Sequence, residues 1–403
     1  MQVEGGRTAA AVSTTAGAGW RIPLHRTTRL GSELRYLAEA LQGESLAADG
    51  VFSARAERVL QLRLGAPVRL TPSGTSALEL CALGLDLQPG DEVILPSFTF
   101  PSTANAFVLR GAVPVFIDVD PKTLCLDPRA AEAAITPRTR ALVAVHYGGV
   151  ACDLDRLGAL VAQHEGVALV EDAAHALGSS WRGRPLGSFG SVAAFSFHAT
   201  KNLGCGEGGA LVVNERRRLA RIEMLRDKGT DRARFRRGEV ARYQWRELGG
   251  SHGLGELGAA VLLAQLEHLD RVTARRRALH ARYHDGLREL EASGHVTLLH
   301  PPAAAQGNGH VCALLAATER ERDRLRAGLA AAGIEAAPHY EPLHASPFGR
   351  SVGRCAGSLR VTEGAASRLL RLPLHHTVQD GEVDEVVERV RMLLRGGGLA
   401  GRA

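Results

Sequence analysis

Lysine is almost missing from this chain: of 49 basic residues only three, Lys122, Lys201 and Lys228, are lysine, and the rest are arginine. Generic positive charge is therefore supplied by guanidinium, and each remaining lysine stands where arginine was not used. Aromatic residues make up only 4% of the chain, which leaves few stacking platforms for nucleic-acid bases. Six cysteines, at positions 81, 125, 152, 205, 312 and 355, form no C-x-x-C pair, a distribution that argues against structural zinc and against a disulfide scaffold. No metal site is expected. No apolar run approaches the roughly 20 residues needed to span a bilayer. The N-terminal stretch is rich in Ala, Gly, Thr and Ser without an apolar block, and it predicts a flexible extension over residues 1–21 rather than a secretory signal.

What is present fits a soluble, cytoplasmic enzyme. At 403 residues the chain exceeds the size at which a single core keeps growing, so the expectation is a large domain over 22–265, a smaller C-terminal α/β domain over 266–394, and a flexible tail at 395–403. Apolar residues at 45% and charged residues at 23% are ordinary for a globular protein. The net charge of +6 and the arginines between 216 and 246 suit an anionic partner. Acidic residues interrupt that basic segment, which favours a small anionic molecule over nucleic acid.

From residue 92 onward, short apolar runs alternate with helix-like stretches: Glu92 to Leu95, Val113 to Ile117, Ala141 to Val145, Val167 to Val170, Val192 to Phe195 and Ala210 to Val213. This spacing predicts strand–helix–strand units in a mostly parallel sheet, an α/β fold that binds ligands at the carboxyl ends of its strands. A helix is predicted over Gly255 to Glu267, continuing into an Arg-rich helix near Arg271 to Leu290. A strand over His310 to Ala316 follows, then helices over Glu319 to Ala332 and Glu382 to Leu394.

Lys122 follows Asp120-Pro121 and reads as a solvated turn residue, while Lys228 reads as a cation at a helix end. Lys201 differs. It lies in Ser196-Phe197-His198-Ala199-Thr200-Lys201-Asn202, just after the run that ends at Phe195, and so is presented from the carboxyl end of a strand. Unlike arginine, a lysine can lose its charge and condense with a carbonyl as a Schiff base, and pyridoxal phosphate is the commonest carbonyl held in that way.

Three further segments agree with that chemistry. Asp172, in Glu171-Asp172-Ala173-Ala174-His175, ends another strand and could pair with the pyridine nitrogen of such a cofactor; it could equally be a helix cap. Pro72-Ser73-Gly74-Thr75-Ser76-Ala77-Leu78 opens an apolar helix with small residues, as a phosphate cradle does and as an ordinary cap also does. Phe100, in Pro96-Ser97-Phe98-Thr99-Phe100, is an aromatic at a strand end, available to lie on the cofactor ring or to pack in the core. The glycine-rich stretch at 204–209 does not open a helix after a first strand and is no dinucleotide fingerprint.

The Ser-Gly-Thr-Ser-Ala-Leu, Glu-Asp-Ala-Ala and Ser-Phe-His-Ala-Thr-Lys-Asn segments, in this order, resemble the DegT/DnrJ/EryC1/StrS sugar aminotransferases, which are fold type I pyridoxal phosphate enzymes. The likeness covers about residues 22–392. It extends to Pro89 to Arg110, His146 to Cys152, Arg226 to Arg237, Tyr243 to Leu248, His339-Tyr340-Glu341-Pro342-Leu343-His344 and Arg371-Leu372-Pro373-Leu374, and is strongest with members that aminate C4 of a dTDP-4-keto-6-deoxyhexose. The resemblance implies that Lys201 holds the cofactor, Asp172 meets its ring nitrogen and Phe100 stacks on it. By the same likeness Gly74, Thr75, Ser76 and Ser196 bind the phosphate, His175 stands beside the ring where relatives often carry Gln, and His339, Tyr340 and His344 belong to the sugar-nucleotide pocket, or else to loop packing. Many relatives have Asn-Tyr-Arg-Met reaching over from a second subunit. Here Ser251-His252-Gly253-Leu254 stands instead, so Ser251 is expected at the phosphate while the donor carboxylate needs another holder. The resemblance further implies a homodimer with shared sites, glutamate as donor and a nucleotide-sugar acceptor. A C3 aminotransferase or a non-catalytic sugar sensor on the same fold are the alternatives.

Overall fold

The computed structural model describes residues 19–395; most of the expected N-terminal extension and all but the first residue of the expected tail lie outside that range. The strands are, in chain order, β1 (Val68–Thr71), β2 (Glu92–Pro96), β3 (Val113–Ile117), β4 (Thr139–Val145), β5 (Ala168–Asp172), β6 (Ser180–Trp181), β7 (Arg184–Pro185), β8 (Val192–Ser196), β9 (Gly209–Val213), β10 (Val296–Leu298), β11 (Ala305–Gln306), β12 (Cys312–Ala316), β13 (Arg354–Cys355) and β14 (Leu369–Leu372). Eight of them form one sheet in the order β1-β9-β8-β5-β4-β2-β3-β13. Its centre is parallel, and β9 runs antiparallel to both β8 and β1.

The apolar runs visible in the sequence belong to strands covered on both faces. Successive side chains go to opposite layers: Ile94, Leu142, Leu169, Ala193 and Val212 enter one core, while Val93, Val143, Val170, Val192 and Leu211 enter the other. Helices Gly74–Gly84, Pro101–Val108 and Leu219–Arg226 cover the second face. Helices Val51–Leu64, Leu154–Ala162 and Glu256–Leu266 pack with the first.

A three-stranded antiparallel sheet, β10-β12-β14, packs with helices Leu269–Ala292, Glu319–Ala331 and Asp380–Arg395 around Tyr283, Leu314, Leu325 and Val386. A third small sheet joins β11, β6 and β7. The two larger units interleave along the chain. Ile22 bridges to Ile334 beside the smaller sheet, and β13, far along the chain, adds in parallel to β3 at the edge of the large one.

Sheet order places β2 between β3 and β4, so the chain leaves β2 in one direction, to β3, and then crosses back to run the other way from β4 through β5 to β8. The carboxyl ends of β1, β2, β4, β5 and β8 point the same way there, and a ligand crevice is expected at that end. All six cysteines are unpaired. Among the described residues no helix is long and apolar enough to cross a membrane. Several arginines of the basic segment are tied to carboxylates: Arg226 to Asp49, Arg237 to Glu223 and Arg246 to Asp231.

Candidate active site

A cavity of about 720 Å³ opens at those strand ends. Gly74 and Thr75 reach it after β1, Phe100 after β2, Tyr147 after β4, Asp172 from the end of β5, and Ser196 and Lys201 from β8 and the turn beyond it. The smaller unit closes the cavity with His310, His339, Tyr340 and Arg371.

Lys201 is half-buried, its backbone N–H donating to the His198 carbonyl at 2.8 Å in a tight turn. Burial lowers its amine to about 8, the nearby positive charge of Arg371 adds to the lowering, and the Asp172 carboxylate works against both. Asp172 is only 5% exposed, yet among the described residues its oxygens receive only a hydroxyl and an amide: Thr103 Oγ1 donates to Oδ2 at 2.7 Å and Ala174 N to Oδ1 at 3.2 Å. A carboxylate sunk this far without an ion pair is suited to a cationic ring N–H.

Ser73 caps helix Gly74–Gly84, its Oγ accepting from Ser76 N at 3.0 Å. The cap leaves the first amides of the helix facing the cavity beside Thr75 and Ser196. A methyl group at Gly74 would lie 2.8 Å from Ser196 Cβ, so the close approach of the helix start to the end of β8 requires glycine there. Small residues, backbone amides and hydroxyls thus meet at this corner of the cavity.

Phe100, the residue before helix Pro101–Val108, is 58% exposed at the cavity. Tyr340 lies 6.4 Å from it, stacks on His339 with centroids 4.1 Å apart, and meets Phe98 edge-on. His175 packs against His310 with centroids 4.2 Å apart, and His310 Nδ1 meets Asn202 Oδ1 at 2.7 Å. Burial, reinforced by the charges of Lys201 and Arg371, holds His175, His310 and His339 far below the usual imidazole range. Because His175 Nδ1 accepts from Gly148 N at 3.3 Å, its neutral ring carries the proton on Nε2.

Of the residues singled out from sequence, Gly74, Thr75, Phe100, Asp172, His175, Ser196, Lys201, His339 and Tyr340 line one cavity. Three do not. Ser76 turns its Oγ to His252 Nδ1 at 2.5 Å, and Ser251 is exposed, in a backbone bridge with Asp227. His344 Nδ1 meets Ser97 Oγ at 2.7 Å and does not line the cavity. These placements reflect partners distant in sequence. Thr103, Tyr147, His310 and Arg371 line the cavity without having been assigned a role; for Arg371 the available signal was a lone charge within the apolar run Leu369-Leu370-Arg371-Leu372.

Fold and site together define a fold type I aminotransferase dependent on pyridoxal phosphate. The sequence profile of the DegT/DnrJ/EryC1/StrS aminotransferase family matches residues 30–391, and the chain belongs to that family. Among solved structures it is similar to DesV from S. venezuelae, at 35% identity over 90% of this chain and 94% of that one with a TM-score of 0.82. The sugar aminotransferase CalS13 from Micromonospora echinospora matches at 29% identity over 92% and 99%, TM-score 0.83. Spr1654 from Streptococcus pneumoniae, in its PLP form, matches at 26% identity over 93% and 99%, TM-score 0.85.

Proposed function

We propose that this enzyme moves the amino group of an amino acid, glutamate by family likeness, to C4 of a dTDP-4-keto-6-deoxyhexose, acting as a cytoplasmic homodimer whose sites are shared between subunits. One observation carries the reading: a lysine amine lowered to about 8 shares a buried cavity with an unpaired carboxylate, Asp172.

When bound, pyridoxal phosphate supplies an aldehyde that takes up the amino group and a ring that receives the electrons of the broken Cα–H bond. Lys201 holds the aldehyde at rest. With its Nζ free, Lys201 would be the base that takes the proton from the donor's α-carbon and returns it in the reverse half of the transfer. A single amine at a fixed position serves both directions of that transfer. Asp172 keeps the ring nitrogen protonated, with Thr103 orienting the carboxylate. His175 would offer its Nε2–H to the oxygen on the ring, Phe100 would cover one ring face, and Gly74, Thr75 and Ser196 would hold the phosphate. His339 and Tyr340 form the wall that meets the sugar.

Incubation of the enzyme with glutamate and dTDP-4-keto-6-deoxyglucose tests this, read by product NMR. A new amine on C4 is expected. An amine on C3 of the isomeric 3-keto substrate alone would move the reading to a 3-aminotransferase. Absence of a cofactor adduct on Lys201 by mass spectrometry would overturn it.

A further inference from the structure

β14 is an apolar strand interrupted by a single charge. Leu369, Leu370 and Leu372 are buried, whereas Arg371 lines the cavity that holds Lys201. Its backbone is held from both sides, by pairing with Ala313 and by a bridge to Ala337. Its side chain is nearly without partners. Nη2 reaches the Pro338 carbonyl only at 3.4 Å, and Nε is buried with no hydrogen bond. Glu335 is the carboxylate whose charge reaches Arg371, but its Oε2 is engaged by the backbone N–H of Leu24 at 2.8 Å. Among the described residues Arg371 forms no ion pair within 4.0 Å.

A second arginine in the cavity shows the contrast. Arg276 directs Nε to the Gly309 carbonyl at 3.0 Å and Nη2 to those of His310 and Leu374, both at 2.8 Å. Its donors hold the cavity wall together. Those of Arg371 make one long contact, to Pro338, and a half-buried cation without an anion beside it is costly to keep unless a ligand completes it. Its planar fork matches a carboxylate through two parallel hydrogen bonds.

We infer that Arg371 receives the α-carboxylate of the amino donor. The assignment rests on the aminotransferase reading and supplies a role that the Ser251-His252-Gly253-Leu254 segment, with no guanidinium, leaves open. Two anions could enter this cavity, the donor carboxylate and the diphosphate of the sugar nucleotide. The carboxylate is one bond from the carbon that must meet the Lys201 amine, whereas the diphosphate lies across the hexose from C4. Arg371 is near enough to Lys201 for its charge to act on that amine, which favours the carboxylate.

The test is calorimetric binding of glutarate, and separately of thymidine diphosphate, to the cofactor-loaded wild type, Arg371→Gln and Arg371→Lys. Arg371→Gln is expected to weaken glutarate by about 10- to 100-fold, with Arg371→Lys in between and thymidine diphosphate unchanged. Without ligand, Arg371→Gln should melt no lower than wild type, because a half-buried charge with no ion-pair partner has been removed. Unchanged glutarate affinity, a loss confined to thymidine diphosphate, or a melting temperature several degrees lower would each overturn the assignment; the last would make Arg371 structural. Wild-type enzyme that binds cofactor, transfers no amine and binds no glutarate would instead sink the aminotransferase reading and this assignment with it.

Discussion

Thr103 Oγ1 donates to Asp172 Oδ2 at 2.7 Å, and Thr99 Oγ1 stands 2.9 Å behind it. Two buried hydroxyls on one turn of chain thus fix a carboxylate at the end of β5. Thr103→Val keeps the shape and removes the donor. It is expected to cost about 1 kcal/mol in the transition state, roughly five- to tenfold in kcat/KM, with Thr103→Ser close to wild type. Steady-state kinetics on the three proteins check this; equal rates in Thr103→Val would show that the hydroxyl orients nothing.

The lowered amine of Lys201 has a kinetic signature. Its neutral form is the one that attacks the aldehyde, and the neutral fraction of an amine rises about tenfold per pH unit below its pKa. Loading of pyridoxal phosphate into cofactor-free protein should therefore accelerate up to about pH 8 and level off above it. Stopped-flow absorbance measures the profile. A rise that continues to pH 10 would mark an ordinary lysine.

At the phosphate cradle, Gly74→Ala would set a methyl group 2.8 Å from Ser196 Cβ. Either β8 or the helix must shift, and the amides that face the phosphate shift with them. Affinity for pyridoxal phosphate should fall by about tenfold, equivalent to roughly 1.4 kcal/mol. Fluorescence titration of cofactor into apo protein gives the answer, and an unaltered affinity would remove Gly74 from the cradle.

Glu92 anchors the edge of the large sheet. Arg354 is the main cause that holds its carboxyl down at about 2, with Thr136 and Arg138 adding to it; Arg354 Nη2 lies 2.8 Å and Arg138 Nη2 2.6 Å from its oxygens. A depressed carboxylate stabilises the fold above its ordinary value of 4.5 and loses that contribution as pH falls toward about 2. Glu92→Gln should cost about 1.5–3 kcal/mol at neutral pH, and its melting deficit relative to wild type should shrink on acidification. A deficit that is constant with pH would assign the loss to packing alone.

The central strands were legible because burial on both faces demands apolar runs, and Val93 to Leu95, Val115 to Ile117, Ala141 to Val145 and Ala168 to Val170 supply them. β1 was hidden by Arg69, which an edge position allows to pair with Glu57 and Glu223, and β14 by Arg371, which the cavity receives. The antiparallel course of β9 has no local signature, since Gly209-Ala210-Leu211-Val212-Val213 reads the same in either direction. Lys201, Asp172 and Gly74 could be found because their chemistry sits in short contiguous segments. Ser76, Ser251 and His344 are turned by His252, Asp227 and Ser97, partners that no local spacing discloses.

The pairing of β13 with β3 makes the nascent chain wait. Until Arg354 and Cys355 leave the ribosome, Val115 and Phe116 present an open edge, and such an edge is a template for wrong partners. The sheet that leads to the lysine is sealed only by residues more than two hundred positions after β3, so fragments cut between the two units are expected to aggregate rather than fold apart.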